Sequence, residues 1–445
     1  MENKALFWHR RDLRIEDNAG LFKALSEVGN VVPVFIFDSQ ILNKLNENDQ
    51  RIIFIHHKIE DLKKQYQAVQ SDLLVYYGDP CDLIPKICES LNISHVFTNR
   101  DYEPNAIERD KTLFTSLAQK NISFIGSKDH VIFEKSEIQK DDGKPYTIFT
   151  PYSKKWKLNL SEKDLTSYPS ELHLDKTHRF TENQALIPLS TIGFNGLQTH
   201  TFPSETCATE IISNYTEDRD YPARNGTSRL GVHLRFGTIS IRSIAKKAKE
   251  LNETFLNELI WREFYQMILF HFPHSASNSF KPLYDRITWD NNEILFALWC
   301  EGKTGYPLVD AGMRELNQTG HMHNRVRMIV ASFLTKHLLI DWRWGAVYFA
   351  EKLLDFELAS NAGGWQWAAG SGCDASPYFR IFNPSLQLLK FDKELNYVLK
   401  WVPEYNTLSY PKPIVVHAEA TKRTISIFNC DISKFTQSNL LIIRC

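Results

Sequence analysis

Short runs of β type alternate with segments of helical period through the first 126 residues, and this alternation leaves few folds open. The runs lie at residues 5–8, 31–37, 73–77, 95–98 and 122–125, and the helical segments at 18–28, 51–69, 82–91 and 105–120. Strands separated by helices pair in parallel, so residues 1–126 are expected to form a doubly wound α/β domain covered on both faces. Neither GxGxxG nor GxxxxGKS follows a strand, so the usual phosphate-cradling loops are missing. The Gly78-Asp79-Pro80 step reads as a turn ahead of a helix.

Beyond residue 126 the pattern dissolves. Residues 127–203 are polar and punctuated by proline, with aromatic pieces such as YTIFTPYSKKW. They read as an interdomain connector, parts of which pack on the surface because a structureless stretch of that length is unusual. Helical period then dominates, at 210–215, 240–251, 254–270, 293–300, 307–319, 325–339 and 345–353, which predicts a larger all-α domain over 204–428. Residues 429–445 run from polar to apolar as an unplaced tail.

A chain of 445 residues exceeds a single ordinary core. Its 52 Lys and Arg against 53 Asp and Glu exclude a polycation, but a basic groove can hide inside that neutral total. The N-terminus MENKALFWHRRDLR lacks the apolar core and cleavage site of a secretory signal, and no run is long enough for a membrane helix. The seven cysteines, Cys81, Cys88, Cys207, Cys300, Cys373, Cys430 and Cys445, are scattered without a CxxC, which argues against disulfides and thiolate metal sites. The expectation is a cytoplasmic protein with no metal and no membrane partner. Of ten tryptophans, eight stand at or beyond Trp261, a bias that a helical core could explain.

Four clusters carry candidate chemistry. In TSRLGVHLRFGTIS, at 227–240, Thr227 and Ser228 beside Arg229 can offer N–H and hydroxyl donors to a phosphate, or simply cap a helix. In NELIWREFYQMIL, at 257–269, helical spacing projects Glu258, Trp261, Arg262 and Tyr265 from neighbouring faces. A surface Glu–Arg pair beside a core Trp would look the same. In GHMHNRVRMIVASF, at 320–333, two His at i and i+2 do not share a helix face, so a metal site is disfavoured. Arg325 and Arg327 precede an otherwise apolar helix, so at least one should be paired or bind an anion. In the fourth, at 353–384, Asp355 and Glu357 can receive those guanidiniums, and Asn361 precedes two glycines that allow close approach. Trp365 and Trp367 follow at a spacing that turns one inward and the other elsewhere.

With these motifs in view, the chain resembles the DNA photolyase/cryptochrome family, from FWHRRDLRIEDN at 7–18 to YPKPIVVH at 410–417. TSRL, LIWREFY, GKTGYPLVDAGMREL, MHNRVRM and NAGGWQW stand in the family's order and spacing. The resemblance implies an α/β antenna domain, a connector and a helical domain that holds FAD in a U shape. Tyr215, Thr227, Ser228, Arg229, Leu230 and Gly231 would line the FAD phosphates. Glu258 and Arg262 would border the adenine and the lesion pocket, and Asn324, Arg327, Asp355, Glu357 and Asn361 the isoalloxazine and ribityl chain. Gly231 and Glu357 depart from the family's more frequent Ser and Asp; one lost hydroxyl costs about 1 kcal/mol and a longer carboxylate keeps its charge. Trp365, Trp342 and Trp289 match the family's electron-carrying tryptophan chain, whereas Trp299 and Trp344 are equally well explained by core packing.

Within the family, Glu258, Trp261, Asn324, Arg325, Met328 and Trp367 match the set that binds cyclobutane pyrimidine dimers. His321 and His323 do not match the paired histidines of (6-4) enzymes, and few residues follow Tyr410, unlike cryptochromes with long signalling tails. A neutral Asn361 also suits a repair enzyme, since an amide steadies reduced flavin without adding charge. The reading implied is a monomeric deoxyribodipyrimidine photo-lyase acting on UV-damaged DNA, with photoexcited FADH⁻ as electron donor. The alternatives are a cryptochrome-type blue-light photoreceptor and, after it, a (6-4) photolyase. Arg224 and Arg325 are the candidates for phosphate contacts, with Arg224 equally readable as an unpaired surface residue. For the second, antenna chromophore, Asn105 matches a folate-contacting Asn, but Ala106 stands in place of Glu and Ala276 in place of a Lys. Asp101 and Glu103 would suit a deazaflavin or flavin, although solvated loop charges describe them better.

Overall fold

The computed structural model describes residues 4–442, with side chains described through residue 431. The last three positions of the tail, Cys445 among them, lie outside the described residues. The chain divides into two compact units. The first comprises Met1–Ile138, Lys155–Cys207 and Arg229–Leu259, the second Gln139–Lys154, Ala208–Ser228 and Ile260–Cys445.

In the first unit, β1 (Ala5–His9), β2 (Val31–Asp38), β3 (Leu74–Gly78), β4 (His95–Asn99) and β5 (Ser123–Ser127) form one parallel sheet in the order β3-β2-β1-β4-β5. Both faces are buried. Ala5 and Phe7 join one apolar cluster with Val31, Phe35 and Phe37, while Leu6 and Trp8 join another with Val32, Val34 and Ile36. Successive strand residues point to opposite faces, which is why a continuous apolar run, rather than an alternating one, marks such a strand. Pro33 lies opposite Phe7, one residue before the β3 ladder begins at Val34, so its missing N–H is tolerated. Helices Ala19–Glu27, Gln50–Gln67 and Pro80–Leu91 are each capped by a preceding side chain, Asn18, Asp49 and Asp79. Asp79 accepts from the Cys81 N–H, so the Gly-Asp-Pro turn is a helix start.

The second unit is helical. Helices Glu293–Cys300 and Pro307–Thr319 begin and end where their periodicity does. The helix expected over 325–339 instead ends its α-helical part at Ser332, and Phe333–His337 continues as a wider π turn, with Leu338 N–H donating to Phe333 O at 3.1 Å. Further helices among the described residues were hidden in the sequence, Asn396–Trp401 among them. Phe149–Asn159 emerges from the connector, Leu358–Ala369 spans the double glycine, and Pro384–Phe391 follows it. His417–Ile442 absorbs the described part of the tail, so residues 429–442 continue a helix.

The glycines explain the helix Leu358–Ala369. Gly363 lets the Tyr265 ring approach so closely that a β carbon would stand 2.2 Å from it, and Gly345 does the same for Trp365 at 2.0 Å. Helix propensity disfavours glycine by about 1 kcal/mol per residue, yet the packing it permits outweighs that cost. Of the two adjacent glycines, Gly364 faces open space. The close approach read for the pair is therefore made at Gly363 by a ring of the protein itself.

Candidate functional site

The polar residues of the second unit pair across its helices. Arg327, one turn into the helix Asn324–Ser332, donates to both oxygens of Asp355 at 3.1 and 2.9 Å. Arg262 donates to Glu357 at 3.1 Å, and Gln266, one turn further along its helix, donates to the same oxygen at 3.0 Å. Ser360 adds a bond to the other oxygen at 3.0 Å. The carboxylates foreseen as guanidinium acceptors are so used, but by Arg327 and Arg262. Arg325 pairs instead with Asp220 at 2.7 Å, and its guanidinium lies 4.5 Å from the Phe391 ring centroid. Met328 touches the same guanidinium through sulfur at 3.9 Å. Arg262 is accordingly not half of an isolated surface pair with Glu258.

Arg224, equally readable from the sequence as a phosphate contact or an unpaired surface residue, is held by Asp218 at 2.6 Å and lies over the Tyr221 ring. Tyr215 is buried beneath Arg219, and Thr227 and Ser228 are half-buried in the loop that ends this part of the unit. The first unit carries the rest of that motif. Arg229 is exposed with a left-handed φ of 54°, Leu230 is buried, and Gly231 opens the short helix Gly231–Phe236. Glu258 is half-buried and also belongs to the first unit.

Asn361 donates through Nδ2 to Ala346 O at 3.0 Å, which fixes the amide's orientation. Asn324 is exposed at the start of its helix. Ahead of it, His323 caps that helix by accepting from the Arg325 N–H at 3.1 Å. Burial, with Arg327 and His321 nearby, drops its pKa to about 4, so the imidazole stays neutral and able to accept.

Trp365 and Trp342 are both 2% exposed and share one core with Trp299, against which half-buried Trp289 packs. Trp365 and Trp342 are thus equally buried, and of the three expected members of the electron chain Trp289 alone is partly exposed. Trp299 differs chemically from the two buried members, because its indole N–H donates to Val330 O at 3.2 Å. The N–H groups of Trp342 and Trp365 are buried without a protein acceptor, an uncommon condition that packing alone does not reward. Trp367 is half-buried at the edge of the core that encloses Trp365, so the two indoles are turned differently, as their spacing suggests. Trp261, also half-buried, stacks on Phe149 with centroids 3.7 Å apart and planes 6° from parallel.

Three contributors were missed. Gln266 stands four residues after Arg262, and that helical spacing was the available signal. Asp220 and Phe149 lie far along the chain from Arg325 and Trp261, and no local pattern points to them.

These residues fit a flavin nucleotide. Gln266 Oε1 is buried without a partner, and the two unpaired indoles add buried donors. In the same unit, guanidiniums already neutralised by carboxylates and a fixed amide offer hydrogen bonds without surplus charge. In the first unit, Asp101 and Glu103 are not solvated loop charges. Arg11 binds them at 3.0 and 3.3 Å, and Arg235 binds Glu103 at 3.0 Å. Burial opposes ionisation of Asp101, but Arg11, with further help from His130 and Arg235, holds its carboxyl well below the usual range. Among the described residues, no group of three or more His, Cys, Asp or Glu is placed to hold a metal ion, and no helix is long and apolar enough to cross a membrane.

Residues 5–170 match the family described as DNA photolyase, and residues 255–409 match the FAD binding domain of DNA photolyase. A deoxyribodipyrimidine photo-lyase of Synechococcus is 36% identical, covering 95% of this chain and 96% of its own. A bacterial class III photolyase from Agrobacterium tumefaciens superimposes with a TM-score of 0.86 at 32% identity, covering 97% of this chain and 98% of that one. An archaeal photolyase from Sulfolobus tokodaii with two FAD molecules gives 0.81 at 33% identity, covering 96% and 99%. With a parallel-sheet unit, a helical unit whose polar pairs suit a flavin, and likeness along nearly the whole chain, this protein belongs to the DNA photolyase family.

Proposed function

We propose that this chain uses light to split cyclobutane pyrimidine dimers in UV-damaged DNA. The observation that carries the reading is the pairing of two helices in the second unit. One bears Trp261, Arg262 and Gln266, the other Trp367 and Asn361, and Tyr265 seats the first against Gly363 of the second. Two half-buried indoles thus stand on helices that also carry the flavin-compatible polar groups.

Tyr215, Thr227, Ser228, Arg229, Leu230 and Gly231 would hold the FAD phosphates, Glu258 and Arg262 the adenine side, and Asn324, Arg327, Asp355, Glu357 and Asn361 the ring and ribityl chain. Bound and reduced, FAD supplies the light-excited electron that opens the cyclobutane ring and is afterwards recovered. The residues of the chain do the rest. Asn361, its amide locked by Ala346 O, presents a neutral group, and Asp355 and Glu357 cancel the charge of Arg327 and Arg262. Trp261 and Trp367 give flat walls to an extruded dimer, Glu258 and Asn324 reach its polar edges, and Met328 fills beside Arg325. Extruding a lesion costs less than the few kcal/mol of a normal base, because it is already poorly stacked.

Arg325 and Arg224 would meet phosphates. Each rests against a partly exposed carboxylate, Asp220 or Asp218. Pairs of that kind are worth at most about 1 kcal/mol, so a phosphate can replace the carboxylate, and affinity should fall steeply with salt.

The reading includes a cytoplasmic monomer, an antenna domain at 1–126, a connector at 127–203 and a helical FAD- and DNA-binding domain at 204–428. Trp289, Trp342 and Trp365 would carry electrons to a bound flavin. A second chromophore would have to share Asp101 and Glu103 with Arg11 and Arg235.

The test is repair of a thymine dimer in oligothymidine under reducing conditions, read as recovered thymine absorbance. Recovery in blue light and none in darkness is expected, and Trp261→Ala should weaken binding to damaged DNA while FAD content stays intact. No recovery with reduced FAD bound would overturn the reading and turn attention to a (6-4) substrate or a signalling partner.

A further inference from the structure

We infer that Phe149 is a positioning residue for lesion recognition, setting the plane of the Trp261 indole against which the dimer packs. The inference rests on the function proposed above.

A half-buried Trp on a helix has open space into which its rotamers can move, and a wall that tilts cannot stack well on a flat base. The Phe149 ring removes that freedom, lying 3.7 Å from the indole with the planes only 6° apart. Stacked pairs in the buried core of the same unit lie further apart, Trp299 and Phe349 at 6.2 Å and 16°, Phe333 and His337 at 4.8 Å and 18°. Trp365 meets Trp299 at 67° and Phe349 at 75°, edge to face, as core rings commonly do. A parallel stack at a half-buried position commits the indole's orientation more than it fills volume.

Phe149 is itself held from two sides. Its ring meets Phe264 edge-on, 5.9 Å between centroids at 79°. Its backbone N–H, the first of the helix Phe149–Asn159 and so without a helical acceptor, donates to Asp374 Oδ2 at 3.1 Å. Asp374 adopts a left-handed φ of 46° in the loop that follows the helix bearing Trp367, a conformation Asp tolerates better than most residues. The brace behind Trp261 is therefore tied to the segment just beyond Trp367, and one loop relates the two aromatic walls.

The test uses the FAD-loaded protein and measures affinity for an oligonucleotide with one thymine dimer, affinity for the undamaged strand, FAD content and thermal midpoint. Phe149→Ala and Phe149→Leu should each weaken dimer binding by about three- to tenfold, the span of a lost aromatic pair. Undamaged-strand affinity and FAD content should not move. Phe149→Tyr, which keeps the flat ring, should restore dimer binding. In a Trp261→Ala background, Phe149→Ala should cost nothing further.

Leu performing as well as Tyr would reduce Phe149 to packing volume and overturn the inference. So would additive losses in the double variant, or equal losses for damaged and undamaged strands. If the unaltered protein fails to discriminate the dimer at all, the proposed function itself falls, which is a different result.

Discussion

Gly345→Ala puts the packing of the tryptophan core to a sharp test. The residue lies inside the helix Trp342–Lys352 and is buried. A β carbon there would stand 2.0 Å from Cη2 of Trp365, 2.5 Å from Cζ3 and 2.6 Å from Cζ2, where ordinary contact begins at 3.4 Å. The indole would have to retreat by more than 1 Å. It has nowhere to go, being 2% exposed and bounded edge-on by Phe349 at 4.9 Å and Trp299 at 6.1 Å. Two effects compete. Alanine gains about 0.5–1 kcal/mol over glycine in a helix interior, while overpacking a closed core costs about 1–3 kcal/mol. The size of the overlap places the cost at the upper end, so a net loss of about 1–2 kcal/mol is expected. Urea unfolding followed by circular dichroism reads this directly. All three colliding atoms belong to the six-membered part of the indole, so in a Trp365→Phe background the same glycine change should become neutral or stabilising. An unchanged or raised midpoint for Gly345→Ala alone would refute the reasoning, as would simple additivity with Trp365→Phe.

Three further outcomes are expected. His323, neutral by burial with a pKa of about 4 against 6.5 when unfolded, contributes stability that is whole above pH 6.5 and is lost as pH falls toward 4, up to about 3 kcal/mol. His323→Asn keeps a capping side chain and removes the titration, so its unfolding free energy should fall less between pH 6.5 and 5 than that of the unaltered protein; an identical slope would count against the assignment. Glu357→Gln removes the charge that Arg262 faces at a carboxylate only 6% exposed, and should lower stability by about 3 kcal/mol or more by denaturant unfolding, together with FAD retention. Trp342→Phe should slow light-driven reduction of the bound flavin while FAD content in the dark stays the same, and an unaltered reduction rate would remove Trp342 from the electron chain.

The amino-acid sequence by itself determined the elements and their chemistry. A parallel sheet was legible because strands buried on both faces must be apolar at consecutive positions, as residues 31–37 are, while their covering helices keep a helical period. The five strands begin within a residue of the runs that announced them. Capping was legible too, since Asp79 followed by Pro80 joins a favoured N-cap to a favoured first helical residue. Family membership was written in motifs that keep order along the chain, and needed no contact to be known.

Partnership belonged to the tertiary structure. Which guanidinium meets which carboxylate depends on helix packing, so Asp355 and Glu357 were visible as acceptors, but their division between Arg327 and Arg262, and the claim of Asp220 on Arg325, were not. The helix Leu358–Ala369 was hidden for the same reason. Its two glycines argue locally against a helix, and only the Tyr265 ring pressed against Gly363 shows what compensates. Phe149 reads as connector until it is found stacked on Trp261. Local propensity and periodicity act through neighbours within a few residues, whereas these contacts join positions 28 residues apart, as in Arg327 and Asp355, or 105 apart, as in Asp220 and Arg325, where nothing but the folded chain brings one side chain to another.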